Sequence, residues 1–203
     1  MNQRVGLMPT LERLFAGPRE SQLSLQEFLT GLGDRSYAFV IAALDLPNCI
    51  PTGIPFLSTV TGVPMLMLLV EEFGGSRAAL LPDFIGLRAF PRGRLQDFLI
   101  RARITIVWLE RRIHPRNEWW LLGLPRQFLL LAWTVDIVIL ALPIPLDNLL
   151  PAWAILFFCL ALLESDGVMA MLGWLFTLVT VAWTAFLALI GPYVVYQLIR
   201  NMI

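Results

Sequence analysis

Long apolar stretches alternate with short polar segments along this chain. The first four stretches contain 14 to 17 residues each. As helices they would reach about 21–25 Å across a hydrocarbon core of ~30 Å, so they are short for complete membrane crossings. The fifth stretch contains 32 residues without a charge and predicts one full span, with a break at Gly191-Pro192. The five apolar stretches cover residues 37–50, 54–70, 128–142, 149–163 and 168–199.

The four short stretches form two pairs, and each pair is joined by a segment rich in proline and asparagine. The joins read LDLPNCIPTGIP in the first pair and LPIPLDNLLP in the second. Proline lacks a backbone N–H and disfavours helix in the residue before it, so each join predicts a break between two helices. Because non-helical backbone at membrane depth must be satisfied by protein or by a water-lined cavity, we expect two re-entrant hairpins whose breaks face each other. The prolines assigned to the breaks are Pro47, Pro51, Pro55, Pro143, Pro145 and Pro151.

The two predicted hairpins resemble one another in sequence. NCIP at residues 48–51 parallels NLLP at 148–151, and the hairpins leave through EEFG at 71–74 and ESDG at 164–167. Both share the order of helix, Pro/Asn break, helix and acid-glycine exit, which predicts an internal duplication. Repeats with broken helices at matching positions are typical of transporters. The sequence leaves open whether the repeats are parallel or inverted.

A short amphipathic helix is expected in the lead-in before the first hairpin. Ser24 is followed three residues later by Glu27, which is the pattern of a capping box at a helix N-terminus. Apolar residues follow at helical intervals, and we expect this helix to end near Gly31 or Gly33.

The connector between the hairpins, residues 75–127, holds ten of the fifteen arginines. Its apolar residues recur at steps of three and four with arginines largely opposite, which predicts an amphipathic helix over residues 94–112. Trp108, Trp119 and Trp120 suit a headgroup boundary, and the arginine density favours the cytoplasmic side of a membrane. A solvated arginine-rich face of a cytosolic helix is the alternative. The arginines assigned to lipid headgroups are Arg94, Arg101, Arg103, Arg111 and Arg112.

Composition narrows the class of protein. The apolar fraction is 58%, the charged fraction is 15% and the mean hydropathy is +0.73, which argues against a soluble monomer. Fifteen basic and fifteen acidic residues cancel, so no net field attracts nucleic acid. All fifteen cations are arginine, which excludes a Walker-type lysine and Schiff-base chemistry. Cys49 and Cys159 are isolated and His114 is the single histidine, so we expect no metal site and no cofactor.

Three acids fall inside the predicted membrane segments, where an ionisable residue usually marks a cavity, a partner or an ion path. Asp45 and Asp147 adjoin the breaks beside Asn48 and Asn148, where helix ends could bind an ion or a polar substrate. The alternative is that these side chains only cap the broken helix ends. Asp136 lies in the middle of an apolar stretch, where an interhelical hydrogen bond and a proton relay are both open.

The other polar residues near the predicted breaks and exits mostly have local structural roles in our interpretation. Hydroxyl side chains after the first break could line a polar path or bond to the preceding helical turn. The acids at the hairpin exits are expected to be solvated helix ends, and His114 an exposed helix terminus. The hydroxyl residues are Ser58, Thr59 and Thr61, and the acids at the hairpin exits are Glu71, Glu72, Glu164 and Asp166.

Two proline-rich motifs about a hundred residues apart carry a family resemblance. LPNCIPTGIPFLSTVTGVPM in the first hairpin and PIPLDNLLPAWAILFFCLALLESDG in the second resemble the exopolysaccharide synthesis D (ExoD) family of bacterial membrane proteins. The similarity extends to the S-L-x-E lead-in and the W-L-x-R-R connector. It implies a bacterial inner-membrane protein associated with exopolysaccharide production or stress tolerance, and it implies no settled biochemical activity.

We therefore expect an all-α polytopic membrane protein without enzymatic activity, with a transporter-like polar site between the two breaks. A non-catalytic scaffold or regulator of an envelope assembly is the alternative. The expected partners are membrane lipid, a small substrate or ion, and a second copy whose interface could cover the breaks. The single predicted domain comprises a lead-in (1–35), first hairpin (36–74), connector (75–127), second hairpin (128–167) and C-terminal span (168–203).

Overall fold

The computed structural model describes residues 7–50, 56–76, 78–142 and 148–202. Most of the described chain is helical, as the apolar periodicity predicts. In chain order the elements are α1 (Leu7–Phe15), β1 (Gln22–Ser24), α2 (Leu25–Leu32), α3 (Arg35–Asp45), α4 (Leu57–Phe73), α5 (Asp83–Gly86), β2 (Ala89–Pro91), α6 (Arg92–Arg112), a 3-10 helix (Glu118–Leu121), α7 (Gly123–Ala141), α8 (Leu149–Glu164) and α9 (Gly167–Met202).

Four helices form the centre of the protein. Helix α3 packs against α4 and α8, α7 packs against the same two helices, and α9 lies along α8 and α7. Apolar side chains that are fully buried between them, such as Trp133, Phe158 and Ile155, make the core. Burial of this surface holds the helices together because each contributes an apolar face to a shared interior.

Both helix pairs turn at the same end of this bundle, which we call the tip end. Helix α3 ends at Asp45 and residues 46–50 have non-helical turn backbone, as expected for the first break. In the second pair α7 ends at Ala141 and α8 begins at Leu149. Pro151 therefore lies inside the first turn of α8, where its missing N–H leaves no helical bond unmade. Pro51, Pro55, Pro143, Pro145 and Asp147 lie outside the described residues.

The opposite end, the base, contains the lead-in and the connector. The expected all-α architecture has one small addition here, because β1 and β2 form a two-stranded antiparallel sheet with Leu23 opposite Phe90. Helix α1 packs against α6, and the Arg92 guanidinium donates to the carbonyl oxygens of Leu14 (2.6 Å) and Ala16 (2.9 Å). These partners are separated by more than sixty residues, so local sequence patterns did not reveal the pairing.

Two local predictions at the base are confirmed. Ser24 and Glu27 form the capping box of α2, which ends before Gly33. The connector contains the predicted helix as α6, whose Leu99 is buried in the core. A second apolar stripe faces outward on this helix, with Ile100, Ile104 and Trp108 exposed by 68, 83 and 56%.

Two helices among the described residues are long and apolar enough to cross a membrane, over Gly123–Ala141 and Gly167–Ile190. The predicted break at Gly191-Pro192 is wrong, because α9 continues as one helix from Gly167 to Met202. Proline is tolerated inside membrane helices where neighbouring groups and small backbone adjustments satisfy the freed carbonyl.

Candidate polar site at the hairpin tips

The first turns of α4 connect the two tips through three hydroxyl side chains. Ser58 Oγ accepts a hydrogen bond from Asn148 Nδ2 at 3.1 Å, at the start of α8. Thr59 Oγ1 donates to the carbonyl oxygen of Ala141 at 2.9 Å, at the end of α7. Thr61 Oγ1 accepts from Asn48 Nδ2 at 2.9 Å, just after α3. Three hydroxyls of one helix thus bind the ends of the other three helices of the bundle.

Close packing of α4 on α7 makes these bonds possible. A Cβ atom added at Gly62 would lie 2.8 Å from the Cβ and 3.3 Å from the Cα of Ala141. Such distances are shorter than side chains tolerate without a shift of one helix, so Gly62 lets the backbones approach. The approach brings Thr59 within hydrogen-bonding distance of the last carbonyl of α7.

The two asparagines differ in how far they act as helix caps. Asn48 Nδ2 also lies 3.4 Å from the carbonyl oxygen of Leu44, so it both caps the end of α3 and bridges to α4. Asn148 stands at the N-cap position of α8 but makes no side-chain capping bond. Its amide is directed to Ser58 instead, and its buried Oδ1 accepts no hydrogen bond from the described residues. Capping alone therefore does not account for Asn148.

Asp45 lies immediately behind the first tip. It is the last residue of α3, it is completely buried, and its Oδ2 accepts a long hydrogen bond from Cys49 Sγ at 3.7 Å. Its Oδ1 has no hydrogen-bond partner among the described residues. A buried carboxylate with one oxygen left unbonded is energetically unfavourable, since removal from water is compensated only by good hydrogen bonds or an opposite charge.

Asp136 lies on α7, five residues before the end of that helix, and is also completely buried. Its Oδ2 lies 2.6 Å from the hydroxyl oxygen of Thr177 on α9, so the interhelical hydrogen bond, one of the two alternatives for this acid, is present. Its Oδ1 is without a partner among the described residues. The Thr177 hydroxyl is also 3.0 Å from the carbonyl oxygen of Gly173.

The acids at the base are not solvated, and the expectation that they would be is wrong for three of them. Glu72 is 8% exposed and accepts from Arg126 at 2.9 Å. Asp166 is completely buried and accepts from Arg116 at 2.8 Å. Glu164 is also buried. The fourth acid, Glu71, is half-buried and accepts from the Leu80 amide at 3.1 Å.

Asp166 links the segment that follows α6 to the beginning of α9. Besides Arg116, its carboxylate accepts from the amides of Val168 (2.8 Å) and His114 (3.4 Å). Burial by itself raises the pKa of Asp166, but the bond from Arg116 and the two amides outweigh it and hold that pKa below its usual value. A Cβ at the adjacent Gly167 would collide with the Asn117 carbonyl oxygen, so this junction depends on close backbone packing.

Sequence patterns do not identify three polar side chains that bind the buried acids. These partners are Arg116, Arg126 and Thr177, and each binds one of the buried acids. A signal did exist for Thr177, because Thr177 and Thr180 are three residues apart and share a face of an otherwise apolar helix. Thr180 is completely buried, and its hydroxyl has no partner among the described residues.

The assigned arginines lie on the surface of α6. Arg94, Arg101, Arg103 and Arg112 are exposed, and Arg111 belongs to the same helix. The Arg112 guanidinium lies 5.3 Å from the ring centre of Trp108, a cation–π contact. His114 is exposed, as expected.

An apolar groove lies on the outer side of α3 and α4. It has a cavity volume of about 690 Å³ and runs between α2, the two helices and residues 80–85. Leu29, Phe39 and Leu68 contribute to its walls, and Glu71 is the acid in its lining. Cavities of this size and composition suit apolar ligands.

Comparisons with known proteins point to one family. The family model "Exopolysaccharide synthesis, ExoD" matches residues 7–186. Protein ExoD of Rhizobium meliloti (strain 1021) is 31% identical over 189 residues, which is 91% of this chain and 77% of that protein. An uncharacterized protein of Synechocystis sp. (strain PCC 6803) is 25% identical over 166 residues, which is 80% of this chain and 77% of that protein. No solved structure matches this chain significantly.

Proposed function

This chain belongs to the ExoD family of exopolysaccharide synthesis, and from that premise we propose that it is a multi-pass inner-membrane protein with a transporter-like polar site. The site lies between two broken-helix hairpins and receives a small substrate or an ion. The proposed activity involves no enzymatic step. A membrane location agrees with the two apolar helices that are long enough to span.

The meeting of both tips on α4 carries this proposal. Asn148 and Asn48 come from different hairpins, yet their amides reach hydroxyls on consecutive turns of one helix. Asp45 is buried three residues before Asn48, at the end of α3. Transporters commonly bind substrates where broken helix ends from two repeats converge, because polar groups there are protected from lipid.

The distribution of exposed residues supports placing the hairpins in lipid. The outer face of α4 carries four apolar side chains that are each more than half exposed, while acids are buried inside the bundle. In water such a surface would be unfavourable, whereas in a bilayer it is the expected arrangement. The four side chains are Val60, Val63, Met67 and Val70.

The common direction of the two hairpins favours parallel repeats over inverted ones. If the tips point into the bilayer, the lead-in and the connector share one side, and the connector's arginines assign that side to the cytoplasm. Helix α9 then crosses to the other side. The duplication, the re-entrant depth and this orientation are parts of the same proposal.

Complementation of a deletion strain, with membrane abundance measured in parallel, tests the polar site. We expect Asp45→Asn to abolish the exopolysaccharide phenotype at near-normal abundance and melting temperature, because the group serves a ligand. Asn148→Ala should abolish it with a loss of stability no larger than that of one hydrogen bond. Asp34→Asn is the control, since Asp34 is an exposed acid at the base of the same helix. Loss of phenotype in strict proportion to loss of protein would contradict the proposal.

A scaffold or regulator is the second candidate, and the outward stripe of α6 favours it. Ile100, Ile104 and Trp108 are exposed beside the exposed Arg101 and Arg103, an arrangement suited to anionic lipid or to a partner protein. Variants of this stripe would then abolish the phenotype while Asp45→Asn retained it. The opposite outcome supports the polar site.

We also propose a homodimer, with α9 as part of its interface. Beyond the level of the tips, α9 carries exposed apolar side chains including Phe186 and Leu189. A second copy could cover this face and the nearby tips. Crosslinking of single cysteines at position 189 in native membranes tests the contact.

A further inference from the structure

We propose that the ligand of the polar site is the proton, which the two buried acids Asp45 and Asp136 each hold inside the helix bundle. The inference rests on the proposed function, because it names the ligand class of the same site. It is carried by three observations: the absence of nearby positive charge, two unpartnered buried oxygens, and the hydrogen-bond geometry of Thr177.

Among the described residues, no basic side chain forms a hydrogen bond or ion pair with either acid. The sequence contains no Arg, Lys or His between Arg35 and Arg77, or between Arg126 and Arg200. Arg35 and Arg126 each precede the acid of their own helix by ten residues, which is about 15 Å along a helix. Arg126 is already paired with Glu72 at the base. The inner part of the bundle therefore contains acids without a counter-cation.

The groups that face the two acids are neutral or acidic on every neighbouring helix. Helix α7 contributes Asp136, which is a weak like-charge neighbour of Asp45. Helix α8 contributes the completely buried Cys159, whose thiol also lies within electrostatic range of Asp45. Helix α9 contributes Thr177, and the acids of α4 and α8, Glu71, Glu72 and Glu164, lie at the base.

Each acid leaves one carboxylate oxygen unused. Asp45 and Asp136 are both 0% exposed, and in each the Oδ1 atom has no partner among the described residues. A buried carboxylate that lacks hydrogen-bond partners and an opposite charge is strongly disfavoured in its ionised form. Binding a proton removes this penalty without any other ligand.

Thr177 indicates where one such proton is used. Its hydroxyl has a single hydrogen but lies near two acceptors, Asp136 Oδ2 at 2.6 Å and the Gly173 carbonyl oxygen at 3.0 Å. An ionised Asp136 would leave one of these contacts without a hydrogen. A protonated Asp136 donates to Thr177, which then donates to Gly173, so both contacts become hydrogen bonds.

The donor set suits a proton better than a metal ion. A hard cation such as Ca²⁺ takes six to eight oxygen ligands. Across the described part of the chain, no three His, Cys, Asp or Glu side chains are grouped to hold a metal. In the proposed step a hydronium ion or buffer acid gives its proton to a carboxylate oxygen, forming an O–H bond, and the reverse step returns it to water. No electron is transferred.

Infrared difference spectroscopy of the full chain in liposomes tests this directly. Protonated carboxylic acids have a carbonyl stretching band that ionised carboxylates lack and that shifts in deuterated water. We expect this band in the wild-type protein at neutral pH and its loss in alkaline buffer. The single variants Asp45→Asn and Asp136→Asn should each weaken it, and the double variant should lose it.

Two controls keep the result interpretable. Asp34→Asn removes an exposed acid at the base and should leave the band unchanged. Exchange of sodium for choline at constant pH should also leave it unchanged, and a sodium-dependent loss would overturn the proton in favour of a metal cation. Absence of the band from the wild-type protein, or its persistence in the double variant, would overturn the proposal as well.

The test is independent of the proposed transport. The presence of the band is read on wild-type protein without any substrate, and the variants only assign it to the two acids. If complementation fails to implicate the tips while the band is present, the acids bind protons but the proposed function is wrong. If the tips are required and the band is absent, the site has another ligand.

Discussion

Asn148 donates its side-chain amide to Ser58 Oγ at 3.1 Å, across ninety residues of sequence. The bond joins the second hairpin tip to the first turns of α4. In the same turns, Thr61 Oγ1 accepts a hydrogen bond from Asn48 of the first tip. An N-cap residue would ordinarily bond to its own helix. Its use between helices makes the tip end one connected polar unit.

The bond between Asn148 and Ser58 should appear as coupling between the two residues. In a double-mutant cycle with Asn148→Ala and Ser58→Ala, we expect a coupling free energy of about 0.5–1.5 kcal/mol, the range of a net hydrogen bond. Unfolding of the purified protein in detergent measures it. The cycle Asn148→Ala with Thr61→Ala is the control, and equal coupling in both cycles would contradict the direct bond.

Gly62 should be intolerant of a side chain. Gly62→Ala places a Cβ 2.8 Å from that of Ala141, so we expect a loss of about 1–3 kcal/mol in unfolding free energy from overpacking. Ala141→Gly removes the opposing atom and should restore part of the loss in the double variant. Thermal unfolding in detergent is the measurement. A neutral Gly62→Ala, or no rescue, would show that α4 and α7 do not approach so closely.

The stability contributed by Asp166 should depend on pH in a defined direction. Its pKa is lowered in the folded protein, so its contribution is complete above the unfolded value and is lost as pH falls through the folded value. Asp166→Asn should therefore lower the melting temperature at neutral pH, and the gap to wild type should narrow below about pH 4. Asp97→Asn is the control, because the Asp97 pair with Arg19 is exposed. A gap of constant size across pH would refute the assignment.

The outward stripe of α6 should contact lipid in the reconstituted protein. A nitroxide at position 104, in a background with Cys49 and Cys159 replaced, should relax more with oxygen than with a water-soluble nickel complex. A nitroxide at position 34, which is exposed at the base end of α3, should show the reverse preference. Equal access of the nickel complex to both positions would place α6 in water.

Local sequence determined most of the helices and their ends. The apolar periodicity located the four central helices, α6 and α9, and the Ser24 and Glu27 pair located the start of α2. Proline and asparagine located the first break at residues 46–50. These features depend on neighbours within a few residues, because propensity, capping and the loss of a backbone N–H act along one turn.

Tertiary structure decided which groups meet. Asp166 and Glu72 are buried and pair with arginines fifty or more residues away. These acids, which the sequence predicts to be solvated, therefore form internal ion pairs. Asn148 forms a hydrogen bond with Ser58 rather than with the backbone of its own helix. Strand β1 of the lead-in pairs with strand β2 of the connector. The sequence by itself determined which of the central segments are helical and where the first pair of them breaks. Only packing of the helices determined the partners of the polar groups, because a hydrogen bond or ion pair requires proximity in space that local periodicity does not encode.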